Sequence, residues 1–190
     1  MRGDFDHVIV GAGTAGCVLA ARLAERGRRV CLLEAGGTDR RPDVMLPGAA
    51  SLLHKSSADW GYSTLPQRGL YGRCLYYPRG KVVGGSGSTN TMIVIRGTPS
   101  DYDRWASAGA TGWGWDEVLP FFRRLESAED VRESELHGAA GPLPARRPVW
   151  RHPLWEVFVR AGVAAGWPRN DDFNGSVQEG VGPFHFTVRG

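Results

Sequence analysis

Apolar residues first gather at Val8-Ile9-Val10, a β-branched run bounded by Asp6-His7 and Gly11, which predicts a buried strand. Cys17 to Arg26 carries Val18, Leu19 and Leu23 among alanines and predicts a helix stopped at Gly27. Val30 to Leu33 is a second apolar run, ending at Glu34. Two buried parallel strands around a helix form the opening half-unit of a doubly wound α/β sheet. Residues 38 to 100 are rich in turn formers and hold no long amphipathic helix, so an extended excursion of short elements is expected. Within it, Val82-Val83 and Met92-Ile93-Val94-Ile95 read as ordered and buried.

The remaining pattern is helical in three places. Asp101 to Ala108, Trp115 to Glu126 and Leu154 to Ala165 predict helices. The middle one aligns Val118, Leu119, Phe122 and Leu125 on one face, and Pro120 should tighten or kink its start. Gly141 to Pro148 reads as a Pro- and Arg-rich connector, Asn170 to Gly175 as a turn cluster and Val181 to Val188 as a strand. No internal repeat is present.

Composition narrows the class. With 190 residues, 42% hydrophobic, the chain suits one domain or one and a half with a real core. The net charge of +3 does not imply nucleic acid as a partner: Lys55 and Lys81 are the only lysines, and the arginine pairs are short and scattered. Cys17, Cys31 and Cys74 form no CxxC, so no metal site is expected, and a reduced, cytoplasmic setting fits. The charged N-terminus is not a signal peptide, and no apolar run is long enough to span a membrane.

Chemistry enters at Gly11-Ala12-Gly13-Thr14-Ala15-Gly16, a G-x-G-x-x-G placed between strand and helix. The first glycine makes a tight turn, the second admits a pyrophosphate and the third lets helix and strand pack closely. The helix N-terminus offers N–H groups to phosphate. Glu34 ends the second strand where an acid hydrogen-bonds an adenosine ribose, and it would repel a 2′-phosphate. This motif alone does not separate FAD from NAD. A second loop, Arg79 to Met92, carries Gly84-Gly85-Ser86-Gly87 and can present backbone N–H groups to a planar heterocycle or an anion.

With both loops in view, the chain resembles the glucose–methanol–choline (GMC) oxidoreductases, particularly the choline dehydrogenase-like alcohol dehydrogenases. The likeness continues through Leu33-Glu34-Ala35-Gly36-Gly37, Asp59-Trp60-Gly61-Tyr62, Pro78-Arg79-Gly80-Lys81, Val94-Ile95-Arg96-Gly97 and Asp101-Tyr102-Asp103-Arg104-Trp105. It includes Gly112-Trp113, His137-Gly138, Gly141-Pro142-Leu143, Asp172-Phe173-Asn174-Gly175 and Gln178-Glu179-Gly180. The resemblance implies an α/β fold: an incomplete FAD-binding, Rossmann-type βαβ domain over residues 1–150, with the start of a substrate domain over 151–190. It implies oxidation of an alcohol CH–OH group by hydride transfer to flavin, as a dehydrogenase or an oxidase.

Carried over by position, Gly11, Ala12, Gly13, Thr14, Ala15 and Gly16 would hold the pyrophosphate. Leu33, Glu34 and Ala35 would flank the ribose. Trp60, Arg79, Val83, Gly84, Gly85, Ser86, Asn90, Thr91, Met92 and Ile93 would follow the flavin. Asn90 would sit at its pyrimidine edge. Some relatives attach FAD through a His where this chain has Thr89, so FAD is expected to be non-covalent.

The resemblance places the catalytic histidine late in a longer chain. No catalytic residue is therefore assigned among His7, His54, His137, His152 and His185; His7 reads as structural, and His137 and His152 as parts of surface connectors. The chain reads as an N-terminal fragment exposing apolar surface, with a companion chain as a possible partner. Two alternatives stand beside the flavoenzyme: a non-catalytic FAD-binding remnant and an NAD-binding Rossmann protein. Trp60, Trp105, Trp113 and Trp115 read as packing residues, Asp171-Asp172 as turn rather than metal ligands, and Glu133 and Glu135 as a solvated face.

Overall fold

The computed structural model describes residues 4–128, 135–149 and 151–188. The chain divides into two compact units, Met1–Thr91 and Met92–Gly190.

The first unit opens with the expected βαβ. Strands β1 (His7–Val10) and β2 (Val30–Leu33) pair in parallel, with Ile9 opposite Leu32, and helix α1 (Thr14–Ala24) connects them. The helix starts three residues before the apolar pattern becomes visible, because the glycine motif itself forms its first turn. Burial departs from expectation. Ile9 is buried, but Val8 is 60% and Val10 84% exposed, because no described element covers that face of the two-stranded sheet.

A short helix α2 (Pro42–Met45) and a 3-10 segment (Pro47–Leu53) follow, then a small hairpin of β3 (Tyr62–Ser63) and β4 (Tyr76–Tyr77). Leu53, Ala58 and Val82 form the core here, with Val44 packed on it.

In the second unit, β5 (Ile93–Val94) pairs antiparallel with β8 (His185–Phe186), and β6 (Glu126–Ala128) pairs in parallel with β7 (Leu143–Ala145). Arg146 exchanges backbone hydrogen bonds with Phe186, joining the two pairs. Helices α3 (Pro99–Ser107), α4 (Trp115–Leu125) and α5 (Pro153–Ala164) fall where the periodicity predicts. Thr98 and Asp101 close a capping box on α3. Pro120 lies inside α4, and the helix runs through it.

The fold departs from the sequence pattern at three further points. The connector at Gly141–Pro148 contains β7. The strand expected over Val181–Val188 shrinks to β8, because Pro183 supplies no N–H and Gly182 precedes it. Ile93 and Ile95 are exposed, since among the described residues β5 has one strand neighbour. Glu135 is exposed, and Glu133 lies outside the described residues.

Candidate functional site

The site is built in the first unit, where β1 and β2 end. Leu33 O accepts from Gly11 N at 2.7 Å, so the glycine turn begins level with the end of β2. Gly13 is the N-cap of α1, and no side chain caps that helix. Its first-turn N–H groups therefore point out of the helix end without a side-chain competitor, as an anion site requires.

The second glycine loop lies directly on the first. Gly84 N donates to Ala12 O at 2.7 Å, and Gly13 and Gly84 form a parallel bridge. Gly85 takes φ +57°, and a Cβ there would stand 2.8 Å from Gly13 Cα. A side chain at that point is excluded twice, by the left-handed backbone and by the neighbouring chain. The same loop is bound to the exit of β2, because Val83 N donates to Gly37 O at 2.9 Å. Inside the loop, Ser86 Oγ accepts from Gly80 N at 3.1 Å and Ser88 Oγ donates to Val83 O at 2.9 Å. The loop is thus a fixed shape and not a linker.

Glu34 sits between these strands of backbone. One carboxylate oxygen accepts from Ala12 N at 2.8 Å, the other from Gly36 N at 2.7 Å. Each oxygen retains a second lone pair.

The structure therefore brings together Gly11, Ala12, Gly13, Thr14, Ala15 and Gly16 with Leu33, Glu34 and Ala35, and lays Val83, Gly84, Gly85 and Ser86 against them. Asn90 and Thr91 end the first unit. Met92 and Ile93 belong to the second, where Met92 O accepts from Thr187 N at 2.9 Å and Ile93 pairs with Phe186. Trp60 and Arg79 are joined to each other, Trp60 N donating to Arg79 O at 2.9 Å. Trp60 is not a core residue. It is exposed, stacked on Tyr62 at 5.8 Å with the Lys81 ammonium 4.8 Å over its ring, so its neighbours are an exposed ring and a charged side chain and not a core.

Asp59 organises this hairpin. It accepts from Lys55 N, Arg79 N and the Tyr76 hydroxyl. Burial opposes its charge, but these donors outweigh it and hold the carboxyl well below the usual range. Val82 is buried in the core, as its apolar pattern predicts. Sequence reasoning missed Asp59 and Gly37 as organisers; their signal was their place inside family-like segments.

The histidines differ in their surroundings. His152 is exposed and its Nδ1 accepts from Leu154 N at 3.2 Å at the start of α5. His137 is buried, not part of a surface connector. Its Nδ1 meets Glu126 at 2.9 Å and its Nε2 meets Asp172 at 2.9 Å, while Arg96 lies 2.6 Å from the same Glu126 oxygen. Burial pushes the imidazole pKa down, but the Asp172 and Glu126 contacts prevail and raise it to about 9. With both nitrogens donating, His137 is a structural cation. His185 is buried beside it, and burial lowers its pKa. Asp172 thus serves this network as well as the turn, where it accepts from Asn174 N at 2.9 Å. Among the described residues no group of side chains has metal-holding geometry.

Residues 5–190 match the GMC oxidoreductase family. An oxygen-dependent choline dehydrogenase of Photobacterium profundum is 45% identical over 99% of this chain and 34% of its own length. The crystal structure of pyridoxine 4-oxidase from Mesorbium loti superimposes with a TM-score of 0.90 at 40% identity, covering 98% of this chain and 37% of that one. An FAD-dependent oxidoreductase from Chaetomium thermophilum gives a TM-score of 0.85 at 30% identity, covering 98% and 34%. The chain spans about a third of the length of the curated relatives it matches. From residue 5 to residue 190, then, the chain belongs to the GMC oxidoreductase family.

Proposed function

We propose that this sequence supplies the FAD-binding part of an oxidoreductase that takes hydride from the CH–OH group of a small-molecule alcohol. The observation that carries the reading is the backbone bridge between Gly13 and Gly84, which sets two unobstructed glycine loops side by side at an uncapped helix end. The residues fit a flavin dinucleotide. The uncapped α1 terminus and Gly11–Gly16 would hold the diphosphate, and the free lone pairs of Glu34 would accept from ribose hydroxyls. The Arg79–Ile93 stretch would follow the ring. When bound, flavin supplies the hydride acceptor. The chain's own residues bind and orient it, and Asn90 would offer a donor to its pyrimidine edge.

FAD is held non-covalently in this reading, which Thr89 supports by offering no imidazole for attachment. The FAD-binding part runs to about residue 150, with the substrate domain from 151. A cytoplasmic setting is part of the same reading and is supported by three free cysteines. No described helix is long and apolar enough to cross a membrane. Nucleic acid is not a partner in this reading; a companion chain covering the exposed sheet is. A second reading, an FAD-binding shell without catalysis, is an outcome of the same test.

The test is titration of the purified chain with FAD, followed by flavin fluorescence and absorbance, with NAD as the competitor. FAD uptake that NAD does not displace, and full release of the yellow colour on acid precipitation, support the proposal. Preference for NAD, or no uptake of either, overturns it. Bleaching of bound flavin by an added alcohol then separates the enzyme from the shell.

A further inference from the structure

The Glu34 carboxylate bonds to the chain's own backbone in two directions at once. Its two oxygens accept from Ala12 N at 2.8 Å and Gly36 N at 2.7 Å. These amides open the two segments that grip the second glycine loop: Ala12 O accepts from Gly84 N, and Gly37 O accepts from Val83 N. Ala12 is buried, so its N–H has no water to replace a lost partner. Gly36 packs directly on the stretch that leads into the second loop, because a Cβ on it would run into the Lys81 carbonyl.

We infer that Glu34 is a positioning residue, a carboxylate clamp that sets the shape of both glycine loops before any ligand arrives. A clamp needs two acceptors on one rigid group. Gln would turn an N–H₂ toward one of the two amides, donor against donor. Asp keeps the charge but is one methylene short, so it cannot reach both. The second half of the inference, that the clamp shapes the phosphate cradle, rests on the nucleotide reading above; the first half does not.

Hydrogen exchange on the ligand-free chain tests the first half. In the wild type, the Ala12 and Gly36 amides are protected without nucleotide; free exchange at either overturns the clamp. In Glu34→Gln and in Glu34→Asp, exchange at one or both amides rises on the order of tenfold or more. Asp behaving as wild type would show that charge alone matters, and would overturn the clamp as well. For the second half, the probe is 2′,3′-dideoxy-ADP, which keeps the diphosphate and has no ribose hydroxyls. The clamp requires Glu34→Gln to weaken this probe roughly tenfold, as it does ADP. An effect on ADP alone leaves Glu34 a ribose ligand only and overturns the cradle role. Failure of the wild type to bind either nucleotide sinks the nucleotide reading and the cradle role together, and leaves the clamp to be decided by exchange.

Discussion

At Gly16 the third glycine of the motif meets the first. A Cβ on Gly16 would run into the Gly11 carbonyl, which is fixed backbone and not a flexible side chain. Gly16→Ala therefore forces helix and turn apart, at a cost of about 2–3 kcal/mol. A lower urea midpoint and loss of FAD uptake by fluorescence titration are expected; unchanged uptake would contradict the packing argument. His137 gives a second prediction at this scale, this time in pH. Its folded pKa is raised to about 9 above an ordinary value near 6.5. Its contribution is thus complete below about 6.5 and fades as pH climbs through about 9. Glu126 and Asp172 are shifted down, so their contribution is lost only on acidification. Urea unfolding between pH 6 and 10 should show stability falling on the alkaline side by on the order of 2–3 kcal/mol. In His137→Gln that alkaline slope should vanish; a slope that persists in the variant would assign it to another group.

At the scale of elements, α3 is held at its start by a reciprocal cap. Thr98 N donates to Asp101 at 2.7 Å, and the Asp101 carboxyl is held low first by the Thr98 hydroxyl, then by the Thr98 backbone and Arg104. Thr98→Ala removes the hydroxyl and should cost about 1 kcal/mol, read as a lower melting temperature; a neutral result would show that Pro99 at the first helical position suffices. Elements of this kind were legible in the sequence. The βαβ unit and the three later helices announce themselves because their apolar residues recur at a period that only one backbone geometry satisfies. Two-residue strands such as β5 and β8 carry no period, so their pairing was invisible. The two glycine loops were legible separately, but their contact was not, because Gly13 and Gly84 pair through backbone and leave no side-chain signature. The buried network failed for a related reason. His137 and Asp172 are 35 residues apart with no spacing that predicts a pair, and a histidine in a polar stretch reads as exposed until its partners are placed.

For the whole molecule, the surface is the quantity that decides behaviour. Leu33 is 50% exposed and Val10 84%, side by side on paired strands of the opening sheet. Among the described residues each strand has one neighbour, so each also offers a free edge of backbone donors and acceptors. A buried sheet in a doubly wound fold has both faces covered, and its strands are written in apolar residues throughout for that reason. Here the residues were chosen for burial and the described chain leaves them in water. Burying a valine or leucine contributes roughly 1.5–3 kcal/mol, so this face has a strong incentive to find cover. In dilute solution the chain should bind an apolar fluorescent dye, and sedimentation velocity should show mass rising with concentration. Val10→Lys places a charge at the centre of the patch and should return the protein toward monomer with little change in its melting temperature, since Val10 contacts almost nothing it would lose. A chain that stays monomeric at all concentrations and leaves the dye dark would mean that this face is covered, and the companion-chain reading would fall with it.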